Sequence, residues 1–164
     1  MAMQYDVKAA HLNATGAAYI GRTRLKGLLT VGSTTAGLVN IWDSTVTAKA
    51  GTYSRTGNTV TVTVTAHGLA NGQAFGFAAS DGAASSGNFT VASVANANAF
   101  TFTDTLNTGS TTGNCGINTR WIMSFDTANN QAETYLLLPG EGILADNGIY
   151  LGMTNQTSMT VFYG

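Results

Sequence analysis

Residues 58–69 read NTVTVTVTAHGL. Valine and threonine alternate from Thr59 to Thr65, and the run stops at His67-Gly68. Side chains of a pleated strand point alternately to opposite faces. Val60, Val62 and Val64 therefore share one face, and Thr59, Thr61, Thr63 and Thr65 share the other. The valine face is expected to be buried, and the threonine face half wet or packed on a neighbour. A period of two sustained this long predicts a strand. His67 then falls just past the strand end, at the opening of a turn. A zinc site would need three or four convergent ligands. The only other histidine is His11, and no HExxH pattern is present, so His67 reads as a turn or packing residue.

Outward from this run, the stretch 51–116 keeps one texture, rich in Thr, Ala, Asn and Gly and poor in charge. Four strand candidates stand in it: Thr59–Ala66, Gln73–Ala78, Asn88–Val94 and Phe100–Asp104. The turn clusters HGLANG, SDGAASSG and ANANA separate them. Such spacing suggests a small antiparallel sheet or partial barrel. The flanks are more apolar. QYDVKAAHL reads as a strand, with a short helix over Val7–Leu12 as the one helical exception. AAYIGRTRLKGLLTVG reads as one strand, with Tyr19, Gly21, Thr23 and Leu25 on one side and Ile20, Arg22, Arg24 and Lys26 on the other. LVNIWDSTVTA puts Val39, Ile41 and Asp43 on one face. INTRWIMSFDTA and three further strands follow, turned by PGEG and by Asn147-Gly148, a strong hairpin signal. The fold expected is all-β: a discontinuous antiparallel β-sandwich (residues 1–50 with 117–164) carrying an inserted small β-sheet or barrel module (51–116).

Composition narrows the partners. Charged residues are 9% of the 164, against about a quarter in ordinary soluble domains, while 44% are hydrophobic. Polar surface must come from Thr, Ser, Asn and Gly, as is common in proteins that pack against other proteins. Formal net charge is −1, so no bulk attraction to nucleic acid or to an anionic membrane is expected. No apolar run approaches the ~20 residues of a spanning helix. The opening MAMQYDVKAAHLNATG lacks a long apolar stretch, so no signal peptide is read. Residues 1–50 are basic (Lys8, Arg22, Arg24, Lys26, Lys49 against Asp6 and Asp43), and 117–164 are acidic (Asp126, Glu133, Glu141, Asp146 against Arg120).

Reactive constellations are weak. The single cysteine, Cys115, excludes an intrachain disulfide and a CxxC zinc cluster and reads as a small buried or boundary residue. No serine lies in a GxSxG elbow. The carboxylates Asp43, Asp126, Glu133, Glu141 and Asp146 show no spacing that marks a glycosidase pair. No catalytic residue, metal or cofactor is expected. The recognition candidate is GRTRLKG, where Arg22, Arg24 and Lys26 alternate into one cationic row on a strand. The row reads as a wet strand face or guarded sheet edge, as a docking strip for an acidic partner, whose carboxylates suit the planar arginine fork, or, least of the three, as a nucleic-acid contact, for which three cations without a broad basic field are a weak footprint.

The segments YDVKAAHLNATGAAYIGRTRLKGLL, LLLPGEGI and the terminal TVFYG resemble small virion structural proteins of tailed bacteriophages, cyanophage-like among them. The stretch from NTVTVTVTAHGL to AFTFTDT is similar to a second β-module found in phage structural proteins. The resemblance implies a capsid decoration, cement or head protein, with the major capsid protein as partner. It implies a homo-oligomer, a trimer favoured, located on the virion after synthesis in the host cytoplasm. No catalytic residues come with it. The alternative is a tail, collar or head-fibre module that binds a host receptor or glycan; it would present Tyr53, Phe75 or Phe77 on a loop face. A small cell-wall hydrolase is the third and weakest reading.

Overall fold

The computed structural model describes residues 7–106 and 109–164. The expected strand start at Gln4–Asp6 lies outside them. In chain order the strands are β1 (Lys8–Leu12), β2 (Gly16–Ile20), β3 (Thr23–Gly32), β4 (Gly37–Asp43), β5 (Lys49–Thr56), β6 (Thr59–Thr63), β7 (Ala74–Ala79) and β8 (Gly87–Thr90). They continue as β9 (Ser93–Asn96), β10 (Ala99–Thr103), β11 (Thr111–Asn118), β12 (Trp121–Thr127), β13 (Glu133–Leu137), β14 (Ile143–Ala145), β15 (Gly148–Thr154) and β16 (Gln156–Tyr163). The fold is all-β. The helix expected over Val7–Leu12 is instead strand β1, paired residue for residue from Lys8↔Tyr163 to Leu12↔Met159 on β16.

The chain divides into two compact units, Met1–Thr47 with Ile122–Gly164, and Ala48–Trp121. The inserted unit reaches a few residues beyond 51–116, because β5 begins at Lys49 and β11 pairs with it as far as Ile117.

The first unit is a sandwich of two antiparallel sheets. One has the order β1-β16-β3-β13, with β14 beside β13 on the same edge of β3; the other has the order β12-β4-β15-β2. Their inner faces share one core. Leu25, Leu28, Met159, Val161 and Ala145 come from the first sheet, and Val39, Ile41, Ile149 and Leu151 from the second, all fully buried. Full burial of each large aliphatic side chain contributes about 1.5–3 kcal/mol.

The segment expected as one strand from Ala17 onward is two, β2 and β3. Gly21 breaks it, with φ at 115°, a conformation that a side chain strongly disfavours. A second irregularity lies inside β3. Phe162 faces Gly27, but Tyr163 faces Leu25, so Lys26 is an extra residue in the ladder. This bulge lets Leu25 and Leu28, three residues apart, both enter the core. Arg24, Lys26, Leu29 and Val31 are left half-buried on the outer face.

Asp43 is buried at the end of β4 and closes the Asn147-Gly148 hairpin. Its carboxylate accepts the backbone N–H groups of Asp146 (3.0 Å), Asn147 (2.7 Å) and Gly148 (3.3 Å). Asp43, a carboxylate whose spacing carried no signal in the sequence, is thus a turn clamp.

The second unit is one seven-stranded antiparallel sheet, β8-β7-β11-β5-β6-β10-β9. It curls around an aromatic core of Phe75, Phe77, Phe100 and Phe102 with Tyr53, Val60, Val62, Val64 and Ile117. The curl brings Phe89 of β8 to 4.4 Å from Phe102 of β10, ring centre to ring centre. Val60, Val62 and Val64 are buried, while Thr59, Thr63 and Thr65 are exposed and Thr61 is half-exposed. β5 and β11 were not among the strand candidates, and the candidate Asn88–Val94 is broken into β8 and β9 at Val91.

Asp43→Ala removes one charged acceptor from three backbone donors. It is expected to cost about 2–4 kcal/mol, since hydrogen bonds to charged groups contribute about 1.5–3 kcal/mol each and water replaces part of them. The check is the shift of the urea midpoint of the sandwich, with Asp43→Asn recovering part of the loss.

Candidate functional site

His67 is 5% exposed and knits two turns together. Its Nε2 lies 2.9 Å from the carbonyl oxygen of Asn96, and the backbone N–H of Leu69 points at Nδ1 from 3.0 Å. An N–H donor facing Nδ1 requires a lone pair there, so the ring is neutral with its proton on Nε2. The ring leans on Phe100 at 5.0 Å. Ala66, in the left-handed region at φ 49°, turns the chain, and its carbonyl accepts from Lys49 Nζ at 2.6 Å. Both ring nitrogens are spent on the backbone, which makes His67 a turn staple.

Cys115 is buried in the same aromatic core. Burial, then the nearby Asp81 charge, pushes its thiol up to about 12. A nucleophile needs the thiolate, so this sulfur is packing. Among the described residues no three His, Cys, Asp or Glu side chains converge to hold a metal.

Among the described residues one ion pair is buried, and sequence reasoning did not single it out. Arg55 and Asp104 side chains are 1% and 0% exposed, with Nη1 and Oδ2 2.6 Å apart. The guanidinium also donates to the carbonyls of Gly57 (2.8 Å), Ala83 (3.2 Å) and Asp104 (2.9 Å). Asp104 accepts from the backbone N–H groups of Ser85 (2.9 Å) and Leu106 (3.0 Å). Three separate loops are tied at this point. Burial alone would raise the Asp104 pKa. The Ser85 and Leu106 donors and the Arg55 charge outweigh it, and the carboxyl stays below its ordinary value. The only sequence signal was an arginine at alternate spacing from Tyr53 on a strand, on the side that points inward.

Two surfaces remain. The first is an open cleft of about 660 Å³ on the inserted unit, lined by Thr52, Ser54, Thr63, Thr112, Asn114 and Asp81 with their neighbours. Across the strands, Ser54 lies opposite Thr112 and Thr61, and Thr61 opposite Thr101, giving rows of hydroxyls. Asp81 is committed to the cleft wall: its carboxylate takes the backbone N–H and the side-chain amide of Asn114. Gly113 must lack a side chain, because a Cβ there would lie 2.4 Å from Asp81 Oδ1. The cleft offers hydroxyl and amide groups beside the Asp81 carboxylate; Tyr53 also lines it, but its ring is almost fully buried and its hydroxyl donates to the carbonyl of Asp81. Tyr53, Phe75 and Phe77, the aromatics that a glycan-binding face required, are 3%, 1% and 0% exposed.

The second surface is the outer face of the β1-β16-β3-β13 sheet. Tyr135 and Leu137 on β13 are 59% and 65% exposed. Beside them lie half-buried Leu29 and Val31 on β3 and Phe162 on β16, with the Tyr135 and Phe162 rings 6.2 Å apart. Arg24 and Lys26 belong to this face. Arg22 does not share their strand; it sits in the bend after Gly21 and pairs with Asp146 at 3.3 Å, both side chains well exposed. β3 is paired on both sides, so Arg24 and Lys26 guard no edge.

Asp104→Asn keeps the shape but leaves Arg55 buried without a counter-charge, at an expected cost of about 3–5 kcal/mol. The native carboxyl titrates lower when folded than when unfolded. Its stabilisation is therefore complete above the ordinary Asp value of about 3.9 and lost as pH falls through the folded value. Unfolding curves recorded from neutral pH downward should show that acid limb in the parent and a flatter one in the variant. Cys115 is expected to stay unreactive toward a disulfide reagent at pH 8 in the native protein and to react fully in concentrated guanidinium, as followed by absorbance.

No protein-family model matches the chain, and no curated protein matches it in sequence.

Proposed function

We propose that this chain is a structural protein of a tailed-bacteriophage virion, a decoration or cement protein that works through its sheet surfaces. The observation that carries the reading is the outer face of the β1-β16-β3-β13 sheet. Large apolar side chains at more than half exposure, side by side with a half-buried aliphatic row, mark a surface that is completed by another protein. The segments that resemble phage virion proteins support it. YDVKAAHLNATGAAYIGRTRLKGLL runs through β1, β2 and the start of β3; LLLPGEGI joins β13 to β14; TVFYG ends β16. Except for β2, these strands are neighbours in that one sheet.

The partners in this reading are the major capsid protein and further copies of the chain. Arg22, exposed on the rim, offers a guanidinium to acidic side chains of a capsid surface. The stabilising effect is modest per contact and large when repeated over a symmetric shell. His67, Cys115, Asp43 and Asp104 are all committed to packing and turns in the geometry above.

The test is quantitative mass spectrometry and electron microscopy of purified virions, with a deletion phage alongside. Copies in the hundreds spread over the head, and heads that release DNA at a lower temperature without the protein, are the expected result. A handful of copies at one vertex would place it in the tail or collar and overturn the decoration reading.

A further inference from the structure

We infer that the outer face of the β1-β16-β3-β13 sheet seats a second copy of this chain, related by a two-fold axis. The face is ordered along β3 by the strand register. Glu133 stands opposite Val31 at one end, Tyr135 opposite Leu29, and Leu137 and Phe162 both opposite Gly27. Lys26, the bulged residue, and Arg24 follow at the other end. Along β13 and β3 the stripe therefore has an acidic end, an apolar middle and a basic end, while β16 and β1 add Ser158, Thr160 and His11 to the same face.

That order is self-complementary. In a two-fold contact the same patch meets itself reversed. An axis near the middle of the stripe sets Glu133 of each copy against Lys26 of the other, and lays each Tyr135 over the opposite Leu137. Five residues separate Lys26 from Val31, about 16 Å at ~3.3 Å per residue, so both charge pairs form at once. Among the described residues no salt bridge within one chain occupies Glu133, Lys26 or Arg24. Side-by-side parallel stacking would put like charges together, which is unfavourable.

The size fits a stable but weak pair. Strands of five, eight, ten and five residues, with the three of β14, at ~3.3 Å per residue and ~4.8 Å spacing, define a face on the order of 500 Å² per copy. Twice that is about the 1,000 Å² at which specific interfaces begin, the range of weak pairs.

The inference rests on the same face as the virion reading and names a second copy as what covers it; its failure leaves the capsid protein as the partner, which the virion experiment tests separately. Sedimentation equilibrium of the full chain from about 1 to 100 μM should show a monomer–dimer equilibrium. Leu137→Asp, a substitution at an exposed site, should abolish it. Lys26→Glu and Glu133→Lys should each raise Kd about tenfold or more. The double variant, and an equimolar mixture of the two single variants, should recover affinity. A monomer throughout this range, a trimer or higher species, or a dimer indifferent to these substitutions overturns the inference. So does a double variant that fails to recover. Edge-to-edge pairing through β13 is told apart by its indifference to Lys26→Glu, because Lys26 lies off that edge.

Discussion

An odd step in a period-two pattern governs the sandwich. Leu25 and Leu28 are three residues apart, so an unbroken strand would send one of them to solvent. The bulge at Lys26 absorbs the mismatch and keeps both in the core. The same slip aligns Arg24 and Lys26 with Leu29 and Val31 outside. Charge and apolar surface then share a face because the core demanded two leucines. Pairing on both sides of β3 fixes this arrangement, since its neighbours β16 and β13 must follow its register.

The inserted unit solves a different problem. Its core is aromatic and its strands are short, so its loops need ties of their own. Arg55 and Asp104 bind three loops from the inside, and His67 joins the turn after β6 to the one before β10. Every polar group of the ion pair that is named here has a partner, which is the condition under which a buried charge is tolerable. Polar chemistry in this unit is used to define shape.

Some of this was legible in the sequence. The Val/Thr run announced its own strand because one face is fully buried, and Asn147-Gly148 announced its hairpin. Other features were hidden for physical reasons. Alternation continues through Gly21, so only the backbone conformation reveals the break between β2 and β3. β5 and β11 are rich in Thr, Ser, Gly and Asn, and their inward residues are few, so no hydrophobic period marks them. Arg55 looks like a turn cation in YSRTG, since burial of an arginine depends on an aspartate 49 residues away. The exposed stripe was masked by ETYLLL, where both faces are apolar and nothing in the order of residues says which one meets the core. The Arg22–Lys26 row failed at its first member for the same reason as the strand: the bend at Gly21 lies beside it.

The two ends of the inserted unit meet as ladder partners, Lys49 opposite Ile117 at the roots of β5 and β11. Strands β4 and β12, which lead in and out of it, are also hydrogen-bonded neighbours. Entry and exit are therefore close together on each side of the junction, and the chain needs little length to bridge them. A module built this way can be excised and replaced by a tight link, or exchanged for foreign cargo, with small entropic consequence for its host. The sandwich is in effect a socket, and its present tenant is one of many that the same two strands could carry.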